Sequence, residues 1–130
     1  MKDRMGREID YMRFSITDRC NLRCKYCMPE GIDCMPRWDV LSLEEFEAIA
    51  IAAASLGIKK IKVTGGEPLA RKSCPQLVKM LKNIPGIEKV TLTTNGVQLD
   101  QYLDQLLDAG LDAINVSLDT VDPVLYEKIT

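Results

Sequence analysis

Short stretches in which apolar and polar residues alternate are separated along this chain by longer stretches in which apolar residues recur with helical spacing. The alternation predicts four strands, at residues 11–16, 61–64, 90–93 and 113–117. Helices are predicted between them and after the last strand. Strands that alternate with helices of about 10–15 residues are typical of βαβ units and of a parallel sheet. The pattern therefore predicts an α/β fold in which residues 1–130 form one domain.

Local signals mark where these helices begin and end. Ser42 and Glu45 have the spacing of a capping box, and Gly57 follows the last apolar position of the same helix. Pro75 suits the first turn of the second helix, and Asp122-Pro123 starts the fourth. The predicted inward-facing residues are Leu43, Phe46, Ile49, Ala50, Ala53 and Leu56 in the first helix, Leu77, Leu81 and Ile84 in the second, and Leu99, Leu103, Leu106 and Leu107 in the third.

Each predicted strand has one polar and one apolar face, although strands buried on both faces of a parallel sheet are usually apolar throughout. The polar face carries Arg13, Ser15, Thr17, Lys60, Lys62, Thr64, Thr91, Thr93, Asn115 and Ser117. This pattern predicts an open, partial barrel whose apolar face packs on helices and whose polar face surrounds a large polar ligand. The three cations in it favour an anionic ligand. A half-solvated antiparallel sheet would show the same alternation and is the alternative.

Composition excludes several classes of function. The chain has no histidine, which rules out Ser-His-Asp triads and histidine-ligated metal sites within it. Hydrophobic residues make up 46% and charged residues 28%, with a net charge of −2, so a globular protein without a nucleic-acid or membrane partner is predicted. No apolar run approaches the roughly 18 residues that span a bilayer.

Three of the five cysteines, Cys20, Cys24 and Cys27, form a C-x3-C-x2-C run that suits a soft metal or an iron–sulfur cluster. A zinc site would take Cys34 as fourth ligand, and a ferredoxin-like cluster would take Cys74. A cluster with three cysteine ligands would leave one iron open for a substrate. The odd, crowded cysteines and the lack of a signal peptide predict a reducing cytoplasm rather than disulfides.

Polar loops follow the other three strands. They contain Gly65-Gly66-Glu67-Pro68, Thr94-Asn95-Gly96 and Ser117-Leu118-Asp119. The carboxyl ends of parallel strands are where α/β folds build ligand sites. The two glycines allow a ligand to come close, and Glu67 is expected either to contact that ligand or to order the turn.

The cysteine run followed by the GGEP segment resembles the radical SAM superfamily and, within it, the GTP 3′,8-cyclase family. The matching segments are Gly6-Arg7, Asp10-Tyr11-Met12-Arg13, Thr17-Asp18-Arg19-Cys20-Asn21, Cys27-Met28-Pro29, Thr64-Gly65-Gly66-Glu67-Pro68-Leu69, Leu92-Thr93-Thr94-Asn95-Gly96 and Asn115-Val116-Ser117-Leu118-Asp119. The resemblance implies a partial TIM-like barrel of the radical SAM type, with about four βα units present of six. The chain then corresponds to the N-terminal portion of the core domain.

The resemblance also implies the residues of a site. Cys20, Cys24 and Cys27 would ligate a [4Fe–4S] cluster, Tyr26, Gly66 and Ser117 would contact S-adenosylmethionine, and Arg13, Lys62 and Thr93 would contact GTP, with Lys60 a further candidate for its phosphates. Relatives often have arginine where Lys62 stands. Cys34 and Cys74 would have no role in this site.

The implied reaction is the first step of molybdenum cofactor biosynthesis. Reductive cleavage of S-adenosylmethionine gives a 5′-deoxyadenosyl radical, which removes hydrogen from the ribose C3′ of GTP before that carbon attacks C8 of guanine. The implied partners are GTP, an electron donor such as flavodoxin or ferredoxin, and a second copy of the chain in a homodimer. A second [4Fe–4S] cluster is expected in a C-terminal part that this chain lacks, so the chain alone is expected to be inactive.

Two other interpretations are left open by the residues. One is a different radical SAM enzyme, acting on peptides or in heme metabolism. The other is a non-catalytic module that binds zinc or an iron–sulfur cluster.

Overall fold

The computed structural model describes residues 2–27, 33–36 and 39–130. Met28 and Pro29, which belong to one of the matching segments, lie outside the described residues. Strands and helices alternate as the sequence predicts: β1 (Tyr11–Ser15), α1 (Leu43–Ser55), β2 (Lys60–Thr64), a 3₁₀ turn (Pro68–Ala70), α2 (Cys74–Lys82), β3 (Lys89–Thr94), α3 (Leu99–Asp108), β4 (Ala113–Val116) and α4 (Pro123–Ile129).

The four strands form one parallel sheet in the order β1-β2-β3-β4. Each strand therefore lies beside its predecessor, as in the wall of a (βα) barrel and unlike a doubly wound sheet, whose order reverses at a switch point. The prediction of a parallel α/β fold is confirmed, and the antiparallel alternative is wrong. The register places Arg13 opposite Lys62 and Thr93 opposite Asn115.

Helix α1 begins and ends where its local signals predict. The Ser42 side chain accepts a hydrogen bond from Glu45 N (3.2 Å), and Glu45 Oε2 accepts one from Ser42 N (2.7 Å), which completes the capping box. Gly57 follows the helix with a φ of 95°, a left-handed conformation that other residues rarely adopt. The Phe14 and Phe46 rings, 5.3 Å apart, join the helix to β1.

The buried face of α1 is narrower than predicted. Its buried residues are Leu43, Phe46, Ala50 and Ala53. Ile49 and Leu56 are 42% and 61% exposed, so their predicted burial is wrong. Ile49 lies beside the stripe that faces the sheet, and Leu56 is already the C-cap.

Helix α3 shows the same kind of correction. Leu106 is buried, and Leu99 and Tyr102 pack against the core, but Leu103 and Leu107 are exposed. The helix carries leucine on two neighbouring stripes, so periodicity alone favoured neither. The stripe that includes Tyr102 faces the core because it continues into Ala109, which is buried after the helix ends. By contrast, the three inward-facing residues predicted in and just after α2 are all buried.

The apolar faces of the first three strands are buried, but that of β4 is not. Val116 is 54% exposed, which contradicts the prediction that helices cover this face throughout. Helix α4 has no buried residue, and its end instead contacts the cysteine loop. There Arg23 N donates to Thr130 O and Lys25 N donates to Ile129 O, both at 3.0 Å.

Asp112 holds the start of β4 against β3. Its N–H donates to Val90 O (2.9 Å), and its Oδ2 accepts from Val90 N (2.6 Å) and from Lys82 Nζ (2.9 Å). Burial raises the pKa of this carboxyl, but the hydrogen bonds from Val90 and Lys82 outweigh it, so the pKa lies below its usual value of 3.8. None of the helices in the described ranges is long and apolar enough to cross a membrane.

We expect Asp112→Asn to lower the free energy of unfolding by about 1–2 kcal/mol at pH 7, measured by urea denaturation. The pKa of Asp112 is lower in the folded state than in the unfolded state. The contribution of the Asp112 carboxylate to the free energy of unfolding is therefore complete well above pH 3.8. It is lost as the pH falls through the lowered pKa of the folded state. The difference between parent and variant should shrink in acid. Asp104→Asn, on the exposed surface of α3, is the control, and a pH-independent difference for Asp112→Asn would contradict the assignment.

Candidate metal and ligand site

The cysteine loop, described over residues 16–27, 33–36 and 39–42, leaves the carboxyl end of β1 and at first continues the pairing with β2. Ile16 N donates to Thr64 O (2.9 Å), Gly66 N to Thr17 O (2.7 Å) and Glu67 N to Arg19 O (2.8 Å). These hydrogen bonds continue beyond the ends of the two strands. The backbone of the GGEP segment therefore fixes the position of the residues that lead into Cys20.

Both glycines are required by this close approach. A Cβ atom on Gly65 would lie 2.5 Å from Thr17 O, and one on Gly66 would lie 2.5 Å from Arg19 O. Real Cβ atoms do not come so close to backbone oxygen, so any side chain here would push the cysteine loop away. The neighbour that the structure places against the glycines is thus the chain's own backbone.

Glu67 is 1% exposed, and three donors of the chain bind its two carboxylate oxygens. Its Oε1 accepts from Leu69 N (3.0 Å) and from Thr94 Oγ1 (2.7 Å), and its Oε2 accepts from Asn95 N (2.7 Å). Of the two roles predicted for this carboxylate, the structure supports the ordering of the turn. It ties the end of β2 to the end of β3.

Asn95 connects this network to the cysteine loop. Its Nδ2 donates to Asn21 Oδ1 (2.8 Å) and lies 3.9 Å from Cys20 Sγ, while its Oδ1 accepts from Val97 N (3.0 Å). The Thr94-Asn95-Gly96 segment therefore does more than turn the chain. It positions the loop that carries the cysteines.

The three cysteines of the C-x3-C-x2-C run lie on this loop as free thiols, with Cys20 and Cys24 half-buried and Cys27 exposed. Leu22 N donates to Cys20 Sγ (3.4 Å), and Cys27 N donates to Cys24 O (3.0 Å), closing a turn. In the described ranges no three His, Cys, Asp or Glu side chains are grouped to hold one metal ion. Thiolates of an iron–sulfur cluster bind separate irons, and three accessible thiols on one short loop are the donor set that such a cluster takes.

Arg71 closes the base of the cysteine loop, and sequence reasoning missed it. Its guanidinium donates to Ile16 O (2.8 Å) and Leu41 O (2.9 Å), at the two ends of the loop, and lies 5.6 Å from the centre of the Phe46 ring. With Arg19 and Lys72 it also lines a cavity of about 510 Å³ beside the loop. No local pattern marks Arg71, because its partners are backbone carbonyls 55 and 30 residues away.

Tyr26 links the cysteine loop to the loop after β4. Its hydroxyl donates to Asp119 Oδ2 at 2.5 Å, and this hydrogen bond to a carboxylate raises the pKa of Tyr26. Ser117 lies in the same loop as Asp119, is exposed, and donates its N–H to Thr94 O (2.8 Å). The loops that follow β2, β3 and β4 are thus all joined by hydrogen bonds to the cysteine loop, which follows β1.

Arg13 and Lys62 lie side by side on the polar face of the sheet, with Thr93 further towards the carboxyl edge on β3. Neither cation forms an ion pair within the described part of the chain. Lys60 differs, because it forms a salt bridge with Asp10 (2.8 Å) at the opposite end of β2. That hydrogen bond raises the pKa of Lys60 and keeps its charge engaged away from the cysteine loop.

The two remaining cysteines differ from each other. Cys74, at the start of α2, is buried, and burial raises the pKa of its thiol to about 12. Cys34 is half-buried, and its neighbour Met35 donates its N–H to the Asp18 carboxylate. A buried thiol of such high pKa is protonated and unreactive at neutral pH.

Comparison with known proteins places this arrangement in a family. A model described as the radical SAM superfamily matches residues 14–130, and the chain belongs to that superfamily. The chain is 53%, 51% and 51% identical, over 98–100% of its length, to proteins named GTP 3′,8-cyclase from Alkaliphilus metalliredigens, Peptoclostridium acidaminophilum and Pelotomaculum thermopropionicum. It spans 40–41% of the length of these relatives.

A solved structure supports the fold independently. The crystal structure of BtrN in complex with AdoMet and 2-DOIA superposes with a TM-score of 0.68, at 20% identity, over 95% of this chain and 53% of that one. The predicted partial barrel of the radical SAM type is therefore confirmed at the level of the fold.

We expect iodoacetamide to modify Cys20, Cys24 and Cys27 in the reduced, metal-free chain at pH 8 while Cys74 stays unmodified. Burial keeps the reagent away from Cys74, and the raised pKa keeps its thiol protonated and therefore unreactive. Peptide mass spectrometry after timed alkylation measures the four rates. In urea Cys74 should react as well. Native Cys74 reacting as fast as Cys27 would show that the start of α2 is not packed as described.

Proposed function

We propose that this chain is the part of a GTP 3′,8-cyclase that binds an iron–sulfur cluster, S-adenosylmethionine and a portion of GTP. The observation that carries the proposal is the pair of neighbouring cations Arg13 and Lys62 on the polar face of β1 and β2, the strands whose carboxyl ends hold the cysteine loop. Like charges in adjacent positions repel unless an anion lies between them. The GTP 3′,8-cyclase names of the relatives supply the identity of that anion.

Cys20, Cys24 and Cys27 would hold a [4Fe–4S] cluster with one iron left for S-adenosylmethionine. When bound, the cluster would supply the electron for reductive cleavage of that cofactor, and this cleavage would provide the radical chemistry directed at GTP. The residues of the chain present the thiolates: Arg71 fixes both ends of the loop, and the GGEP backbone sets its first residues.

S-adenosylmethionine would lie along the carboxyl edge, between the cysteine loop and the polar loops. Tyr26 would contribute backbone contacts to the adenine, Gly66 would contact the methionine portion and Ser117 its carboxylate. Exposed Gly66 and Ser117 support this, as does the Tyr26–Asp119 hydrogen bond that holds two of these loops together. Their shared task is to hold reacting atoms close together and to exclude water.

GTP would lie over the polar face, with Arg13, Lys62 and Thr93 as contacts. The phosphates suit the two cations, and the Thr93 hydroxyl can donate to or accept from the nucleoside. We assign Lys60 a lesser role, because Asp10 already pairs with its charge.

The proposal includes partners beyond the chain. Flavodoxin or ferredoxin would supply electrons, and a second [4Fe–4S] cluster would lie in the portion of the relatives that this chain does not span. All five cysteines are free, which supports work in a reducing cytoplasm. A second copy of the chain, in a homodimer, is also part of the proposal.

We expect the chain, reconstituted anaerobically with iron and sulfide and reduced, to show a [4Fe–4S] EPR signal that changes when S-adenosylmethionine is added. Cys24→Ala should lose the signal, because it removes one of the proposed thiolate ligands. Cys34→Ala, the matched control, should keep both the signal and its response. Bound zinc, or a signal that ignores S-adenosylmethionine, would favour a non-catalytic metal module instead.

We expect Lys62→Gln to stabilise the ligand-free chain by roughly 0.2–1 kcal/mol, because it removes repulsion with Arg13. It should also reduce the rise in melting temperature that millimolar GTP produces in the parent, measured by differential scanning fluorimetry. Lys59→Gln breaks the pair with Glu88 and is the matched control: it should be less stable than the parent and keep the full GTP response. A destabilised Lys62→Gln chain with an intact GTP response would contradict the assignment.

A further inference from the structure

The structure places two N–H donors around the sulfur of the first cysteine of the loop. One is the backbone N–H of Leu22, 3.4 Å from Cys20 Sγ, and belongs to the loop itself. The other is the side-chain amide of Asn95, 3.9 Å away, and comes from the end of β3, 75 residues along the chain. Within the C-x3-C-x2-C run, the Cys20 sulfur therefore has a hydrogen-bond donor from another element of the fold.

The orientation of the Asn95 amide follows from its other hydrogen bonds. The Asn95 side-chain atom 3.0 Å from Val97 N must be the oxygen Oδ1, because a backbone N–H can only donate and needs an acceptor. The NH₂ group therefore faces Asn21 Oδ1 (2.8 Å) and Cys20 Sγ. One of its two hydrogens binds Asn21, and the second is available to the sulfur.

Buried structure holds Asn95 in this position. Its backbone N–H donates to Glu67 Oε2 (2.7 Å), and the other oxygen of that carboxylate binds Thr94 and Leu69. Glu67 and Thr94 are almost wholly buried. The backbone of Asn95 is therefore held by a buried network at the ends of β2 and β3, outside the cysteine loop.

We propose that Asn95 is a positioning residue for Cys20: it orients the first thiolate of the loop and, by donating a hydrogen bond to its sulfur, raises the reduction potential of the bound cluster. This inference rests on the proposed function, since it concerns the cluster that Cys20 would ligate. Hydrogen bonds to cluster sulfurs withdraw negative charge and so favour the reduced form. Asn95 would thereby ease reduction of the cluster by the electron donor without touching either substrate.

The test is an anaerobic redox titration of the reconstituted chain, followed by EPR, for the parent, Asn95→Leu and Asn95→Asp. Asn95→Leu removes the donor, and Asn95→Asp puts a negative oxygen in its place. Both should shift the midpoint potential to more negative values, with the larger shift for Asn95→Asp. Asn83→Leu and Asn83→Asp, made at the exposed C-cap of α2, are matched controls that should keep the parent potential.

The outcomes separate this inference from the proposed function. If the parent itself forms no [4Fe–4S] cluster that responds to S-adenosylmethionine, the proposed function fails. If the parent does so and the Asn95 variants keep its potential, only the role of Asn95 is overturned, and a lowered melting temperature alone would then show a structural residue.

If neither Asn95 variant assembles a cluster while melting as the parent does, the thiolate is not presented without Asn95, and the positioning role stands. If both melt early and assemble none, Asn95→Ser decides. Its hydroxyl oxygen can still accept from Val97 N but is too short to reach Cys20. A more negative potential in that variant supports the proposal, and the parent potential overturns it.

Discussion

The carboxylate of Glu67 is the group on which the carboxyl edge of the sheet depends. A charge that is 1% exposed would be costly if it were unpaired, but three donors surround it, from Leu69, Thr94 and Asn95. Because these donors belong to the 3₁₀ turn and to the end of β3, they hold two loops in one arrangement. Glu67 N also donates to Arg19 O, so the same residue places the start of the cysteine loop.

Hydrogen bonds from several elements of the fold hold the described parts of the cysteine loop in place. Arg71 binds backbone carbonyls at both ends of the loop, and Asn95 reaches its first cysteine from β3. The end of α4 binds the loop through Arg23 and Lys25. The thiols are therefore presented from several directions by elements far apart in sequence, while their sulfurs stay accessible to a cluster.

The polar face of the sheet has the opposite character. Arg13 and Lys62 stand next to each other without an acidic partner in the described part of the chain. Lys60, two residues before Lys62 on the same strand, forms a salt bridge with Asp10. Stability alone would not select two unpaired neighbouring cations. Under the proposed function, a bound anion would offset the repulsion between them, and this anion would lie on the strands that lead into the cysteine loop.

The sequence by itself determined the order of elements, the parallel sheet, the polar face and the cysteine run, because these depend on periodicity, capping and spacing within a few residues. It did not determine which leucine stripe of α3 is buried, nor that Val116 stays exposed, since both depend on what packs against them. It also left Glu67 between two roles and gave no sign of Arg71. Only the tertiary structure decided these points, because their hydrogen-bond partners lie tens of residues away and are mostly backbone atoms, which leave no pattern in a sequence.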